Sequence, residues 1–191
     1  MNICGILLAA GSGRRFDPSG QRNKLLAPLA GNQPVVAAAA SAMLSVLPKV
    51  VAVVPDGGGA VAAELRALGC DVVTCPDAGL GMAASLVQAL HHCPDGTEAW
   101  IIALGDMPYV QAATIAALRD ALNAGATIAA PVHGGRRGNP VAFHSVYLEQ
   151  LLALEGDRGA RAIVEANQVT EVDVDDPGIF HDIDTAADLG K

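Results

Sequence analysis

Aromatic residues are scarce in this sequence of 191 residues, which holds one Trp, two Tyr and three Phe. Platforms for single-stranded nucleic acid stack bases on aromatic side chains, so the shortage argues against one. Positive charge is also short, with 12 Lys+Arg against 20 Asp+Glu and a net charge of −8. A chain that grips a phosphate backbone carries a basic face, so no nucleic-acid partner is expected. Any base must then be read by backbone and small polar groups, and any anionic ligand must be held by a local site. The four cysteines, Cys4, Cys70, Cys75 and Cys93, form no CxxC pair and are too few for a disulfide scaffold, which predicts reduced thiols. The five histidines show no HExxH spacing, which argues against zinc. No run approaches the ~20 apolar residues of a membrane span. The start, Met1-Asn2-Ile3-Cys4-Gly5, lacks the basic region of a signal peptide, and the apolar run from Ile6 stops at Gly11, so a cytoplasmic location away from membranes is expected.

Apolar residues, by contrast, make up 51% of the chain and charged ones 17%, enough to offset the entropy of folding. The length fits one domain over residues 1–191. Short β-rich runs alternate with Ala/Leu segments at helical spacing, the pattern of βαβ units around a mostly parallel sheet. The expected strands are Ile3 to Leu8, Val50 to Val54, Asp71 to Thr74, Ala99 to Leu104 and Thr127 to Val132, with helices near Val35 to Val46, Gly59 to Leu68, Met82 to His92 and Thr114 to Ala124. After Val132 the rhythm changes: Gly134-Gly135-Arg136-Arg137-Gly138-Asn139 is turn-rich and leads into Pro140 to Phe143, which reads as a hairpin. Helices from His144 to Leu154 and Asp157 to Ala166 and a late strand from Val169 to Val174 complete a three-layer α/β domain.

Directly after the first strand comes Leu8-Ala9-Ala10-Gly11-Ser12-Gly13-Arg14-Arg15-Phe16. Small residues let a backbone approach a ligand closely, and glycine-rich turns aim N–H groups at phosphate oxygens. Arg14, Arg15 and the downstream Lys24 would supply counter-charge; the other reading is a tight strand-to-loop turn. Phe16 stands where a dinucleotide fingerprint needs its third glycine, and no Gly-Lys-Ser/Thr occurs, so neither a nicotinamide site nor a P-loop is indicated.

A second cluster is acidic. Ile101 to Leu104 runs into Gly105-Asp106-Met107-Pro108, which places a carboxylate at the carboxyl edge of a central strand, where open α/β sheets bind ligands. Mg²⁺ takes one or two protein carboxylates and completes its shell with phosphate and water. Asp184, in His181-Asp182-Ile183-Asp184-Thr185, is the candidate second carboxylate. Each has an alternative role, Asp106 opening a turn and Asp184 capping a last short helix.

Together, the first loop, Lys24, the Gly105 to Pro108 strand end and the Asp-Ile-Asp-Thr segment resemble the nucleotidyltransferases of the molybdenum cofactor guanylyl/cytidylyl family. Three further segments are similar to family elements: Gly79 to Leu86 to the base-reading segment, Arg137 to Phe143 to the RGNPV element, and Gly156 to Arg161 to the GDxGAR turn. The resemblance implies a Rossmann-like nucleotidyltransferase domain. It also implies a reaction, Mg²⁺-dependent transfer of a nucleotidyl group to the phosphate of molybdopterin with release of pyrophosphate, in service of a molybdoenzyme. The Leu-Ala-Ala-Gly form of the loop, with Ala10, resembles members that use CTP.

Carried onto this chain, the resemblance puts nucleotide contacts at Leu8, Ala9, Ala10, Gly11, Ser12, Gly13, Arg15, Lys24, Gly81 and Ser85. Catalysis falls to Arg15, Lys24 and Asp106, the metal to Asp106 and Asp184, and the acceptor to Arg137, Asn139, His144, Asp157 and Arg161, with Asp157 equally readable as a helix N-cap. Two departures from the family pattern stand out. Asp17 to Asn23 lengthens the loop ahead of Lys24 and offers Arg22 as a helper, and Ala186 replaces a proline in the closing motif. Two other functions remain open: nucleotidyl transfer to a different phosphorylated metabolite such as a sugar phosphate, and non-catalytic carriage of the cofactor.

Overall fold

The computed structural model describes residues 1–190 apart from Ser12, Arg14, Pro18, Gly20 and Arg158. Eight strands form one sheet: β1 (Ile3–Leu8), β2 (Val50–Pro55), β3 (Asp71–Cys75), β4 (Ala99–Leu104), β5 (Ile128–His133), β6 (Arg136–Arg137), β7 (Val141–His144) and β8 (Thr170–Asp173). Their order is β3-β2-β1-β4-β7-β5-β6, with β8 paired to β5. The pairs β1–β2, β1–β4, β2–β3 and β5–β8 are parallel, whereas β7 runs antiparallel to both β4 and β5.

The expected first nine elements are all present, with ends moved by two residues or fewer. The helices are α1 (Val35–Leu44), α2 (Gly59–Leu68), α3 (Met82–His92), α4 (Ala112–Asn123), α5 (Leu148–Leu152) and α6 (Arg161–Ala166). Parallel strands covered on both faces read as continuous apolar runs, and alternation sends neighbouring side chains to opposite layers. Thus Ile3 and Leu7 of β1, Ala52 and Val54 of β2, and Ile101 of β4 meet α1, α2 and α4 in one core. Cys4, Ile6, Val51, Val53, Trp100 and Ile102 meet α3, α5 and α6 in the other. Gly5 is needed on the first face, because a Cβ there would lie 2.8 Å from Met43 Cε. Cys4, Cys70 and Cys75 are buried free thiols and Cys93 is half-buried. Burial pushes the Cys70 thiol up to about 11.

The last third departs from expectation. The turn at Gly134-Gly135 does close a hairpin, but with β6, whose Arg137 and Arg136 pair with Val132 and His133. The following segment leaves that hairpin, and β7 inserts between β4 and β5. The last helical pair is shorter than its periodicity suggests, since α5 ends at Leu152 and α6 begins at Arg161. Among the described residues no helix is long and apolar enough to cross a membrane.

Candidate active site

The carboxyl ends of β1, β2 and β4 and the start of α3 open onto one cavity of about 730 Å³. Its walls are mostly small: Leu8 at the end of β1 with Ala9, Ala10 and Gly11 after it, Pro55 at the end of β2, and Ala78, Gly79, Gly81, Met82 and Ser85 around the start of α3. Asn23, Lys24, Leu104, Asp106 and Asp157 supply most of the remainder. The loop after β1 is held against its neighbours by the backbone bonds Ala9 N to Val53 O (2.9 Å) and Gly105 N to Leu8 O (2.8 Å). Gly13 sits at φ +59°, and its carbonyl accepts from the amides of Phe16 (3.0 Å) and Asp17 (3.2 Å). Ser12 and Arg14 lie outside the described residues.

Lys24 is the polar centre. Its side chain is only 11% exposed, and Nζ donates to Asp106 Oδ2 at 2.5 Å and stands 3.9 Å from Asp184 Oδ1. Asp184 Oδ2 in turn accepts from Arg15 Nη1 at 2.5 Å. Three local features produce this arrangement. Asn23 Oδ1 accepts from Leu25 N (2.9 Å), capping the 3₁₀ turn Lys24–Leu26. Asp106 follows the end of β4. Asp184 is brought from the far end of the chain by Ile183 N donating to Asp106 O (2.8 Å). Asp188 rather than the Asp184 carboxylate organises the closing turn Ala186–Gly190: its Oδ2 accepts from Thr185 N and Thr185 Oγ1, each at 2.8 Å.

A lysine gripped by two carboxylates marks a place where positive charge is required. Among the described residues no three His, Cys, Asp or Glu side chains are grouped to hold a metal unaided. Two hard oxygen donors beside a cavity fit a divalent cation that draws its other ligands from phosphate and water.

The GDxGAR turn forms part of the wall of this same cavity. Ala83 N donates to Gly156 O at 3.1 Å, and a Cβ on Gly81 would lie 2.5 Å from Gly156 O and 2.7 Å from Asp157 Oδ1. Asp157 is not an N-cap, because Ala160 occupies that position of α6.

The other residues assigned to an acceptor are dispersed. Asn139 precedes β7 at the cavity edge of the sheet, its amide bonded to Ile179 O (3.0 Å). His144 pairs with Ala99, the first residue of β4, and so lies at the opposite edge, where its ring accepts from Val146 N (3.2 Å). The structure therefore does not bring His144 to the cavity: β7 starts at the cavity edge and, being antiparallel to β4, carries its last residue away. Exposed ion pairs engage Arg137 with Glu171 and Arg161 with Glu165, both at 2.7 Å. Arg22 turns outward, its guanidinium 5.7 Å from the Phe16 ring centroid and 3.8 Å from Asp17. Asn23, Pro55, Ala78, Gly79 and Met82 line the cavity without having been singled out one by one; Gly79 and Met82 fall inside the base-reading segment, and the sequence signal for Asn23 is its capping position before Lys24.

Residues 5–172 match the MobA-like NTP transferase domain model, and the chain belongs to that family. It is 32% identical over 181 residues to the bifunctional protein GlmU of Bradyrhizobium sp. (strain ORS 278), covering 85% of this chain and 37% of that one. The chain thus spans about a third of the length of the curated relatives it matches. The homologue of Mycobacterium tuberculosis Rv0371c from Mycobacterium sp. strain JC1 superposes with a TM-score of 0.84 at 29% identity, over 98% of this chain and 92% of that one. A manganese complex of M. tuberculosis Rv0371c superposes at 0.80 with 28% identity, over 98% and 96% of the two chains. The chain therefore carries an NTP transferase domain of the MobA-like kind.

Proposed function

We propose that the chain transfers a cytidylyl group from CTP to the phosphate of molybdopterin, releasing pyrophosphate with Mg²⁺ as cofactor. The observation that carries this reading is Lys24 held between Asp106 and Asp184 at a cavity walled by small residues. The Leu-Ala-Ala-Gly loop supports CTP, and the RGNPV and GDxGAR segments support the molybdopterin acceptor.

Both reactants are anions, so the protein must position them and offset their repulsion. Lys24 and Arg15 meet phosphate charge, and the backbone of Gly11 and Gly13 cradles the triphosphate. Leu8, Ala9, Ala10, Gly81 and Ser85 enclose the nucleoside. Asp106 and Asp184 would hold Mg²⁺, which would supply further positive charge against the phosphates. A phosphate monoester is already ionised near neutral pH, so no general base is needed, in keeping with a described cavity lining that contains no histidine. Asn139 and Asp157 are the acceptor candidates nearest the cavity; Arg137 and Arg161 would have to exchange their glutamates to join them.

Thermal unfolding with CTP, GTP, ATP and UTP plus Mg²⁺ tests the nucleotide half, because ligand at 100 Kd adds about 2.7 kcal/mol to the native state. A CTP-selective, Mg²⁺-dependent rise in Tm that Asp106→Ala abolishes is expected. Equal shifts with all four triphosphates would refute the base assignment. Pyrophosphate release on adding molybdopterin tests the acceptor and separates an enzyme from a carrier. A second reading, transfer to another phosphorylated metabolite such as a sugar phosphate, takes its support from the similarity to GlmU. Release with a sugar phosphate and none with molybdopterin would establish it instead.

A further inference from the structure

Lys24 follows a loop that the family pattern makes shorter, and a longer loop ahead of a residue that must reach two carboxylates costs ordering entropy. The described part of that loop is organised around one side chain. Asp17 is 9% exposed, and its Oδ1 accepts from Ser19 N (3.0 Å) and Ser19 Oγ (2.6 Å) while its Oδ2 accepts from Arg22 N (2.7 Å). One carboxylate thereby fixes the chain two and five residues downstream. Its own amide is anchored to Gly13 O (3.2 Å), in the turn that follows β1. Arg22 covers the outer side by stacking over Phe16, which is itself buried. Beyond Arg22 come Asn23, which caps the 3₁₀ turn, and Lys24, whose stem lies 3.6 Å from where a Cβ on Gly13 would stand. The added segment thus starts at a hydrogen bond to the glycine turn and ends at a lysine whose stem passes beside Gly13.

We propose that Asp17 is a positioning residue that folds the extended loop back on itself and so holds Lys24 Nζ between Asp106 and Asp184. This rests on the reading of Lys24 as a phosphate-binding group, yet its geometry can be tested without nucleotide. The side-chain hydrogen bond from Ser19 and the backbone bond from Arg22 also hold the Asp17 carboxyl below the usual aspartate range, so it is ionised across the working pH.

Lysine occurs at only three positions, 24, 49 and 191, which makes site-resolved labelling simple. Trace acetylation of the folded chain, read by peptide mass spectrometry, should find Lys24 protected relative to the more exposed Lys49. In Asp17→Ala that protection should be lost while Lys49 is unchanged. Ser19→Ala, which removes one of the three bonds, should lose part of it, and Asp17→Asn should fall between, since its amide nitrogen meets the Arg22 N–H as donor against donor. Gln21→Ala should behave as wild type. CTP affinity in the presence of Mg²⁺ should fall about tenfold in Asp17→Ala, the scale of a lost charged hydrogen-bond network. Undiminished Lys24 protection in folded Asp17→Ala, or in Ser19→Ala and Asp17→Asn if the alanine variant does not fold, overturns the inference whatever the nucleotide result. Lost protection in a chain whose wild type binds none of the four triphosphates upholds the positioning and refutes the nucleotide reading.

Discussion

The parallel part of the sheet, β1 to β4, and the mixed part, β5 to β8, treat their candidate residues differently. Every crossover in the first returns the chain to the same edge, so Leu8, Pro55, Leu104 and the residues after them converge on one cavity. In the second, β7 reverses direction, and a motif that begins at Arg137 on the cavity edge reaches the far edge by His144. Contiguity in sequence means proximity in space only as long as the chain keeps one direction. The parallel part accordingly builds a site mainly from backbone and small side chains, and the mixed part presents charged groups already paired on its surface.

The largest effect that would separate the two parts is on chemistry. Asp106→Ala should lower the rate of nucleotidyl transfer by roughly 10² to 10³, the usual loss for one preorganised charged contact, with the fold preserved by circular dichroism. Gly81→Ala should come next. Its φ of +127° and the collision of a Cβ with the Gly156 carbonyl push the GDxGAR turn off α3, at a cost of about 1 to 3 kcal/mol in urea unfolding, with weaker CTP binding. Should the variant lose stability but keep CTP affinity, Gly156 and Asp157 would belong to the mixed part alone. Arg137→Ala and Arg161→Ala remove exposed ion pairs and should each change stability by less than about 1 kcal/mol. A raised KM for acceptor without a change for CTP would recruit either arginine to the site. His144→Ala should leave both KM values untouched.

A pH experiment sharpens the comparison at its smallest scale. Because hydrogen bonds from Ser19 and Arg22 hold the folded pKa of Asp17 below the ordinary aspartate value, its contribution to stability is present above that ordinary value and is lost as pH falls through the folded one. The stability gap between wild type and Asp17→Ala should therefore be constant from neutrality to about pH 5 and narrow below pH 4.

What could be read from the sequence follows the same division. β1, β4, α2 and α3 have the ends their apolar runs and flanking glycines imply, since strands buried on both faces leave little ambiguity. Asp106 was legible from its strand end and Asp184 only from a motif, because the backbone bond that joins Ile183 to Asp106 has no local signature. The insertion of β7 between β4 and β5 was not legible either: four residues that pair on both sides look the same as one arm of a hairpin. For the same reason His144 was drawn to the site with its neighbours. Asp157 is expected on the acceptor side, and the docking of Gly156 on Ala83 puts it in the same wall as Gly81 and Ser85, a contact with no local signature in the sequence.

The bond from Ile183 N to Asp106 O has a consequence for the order in which the molecule becomes itself. A growing polypeptide has all eight strands once residue 173 has been added, yet the carboxylate at 184 is still to come. Completion of the sheet and competence are therefore separate milestones along synthesis. A prematurely ended chain completes its sheet but lacks half of the grip on Lys24, and because the same missing tail carries the buried Ile179 and Ile183, the loss of competence is coupled to exposure of the core.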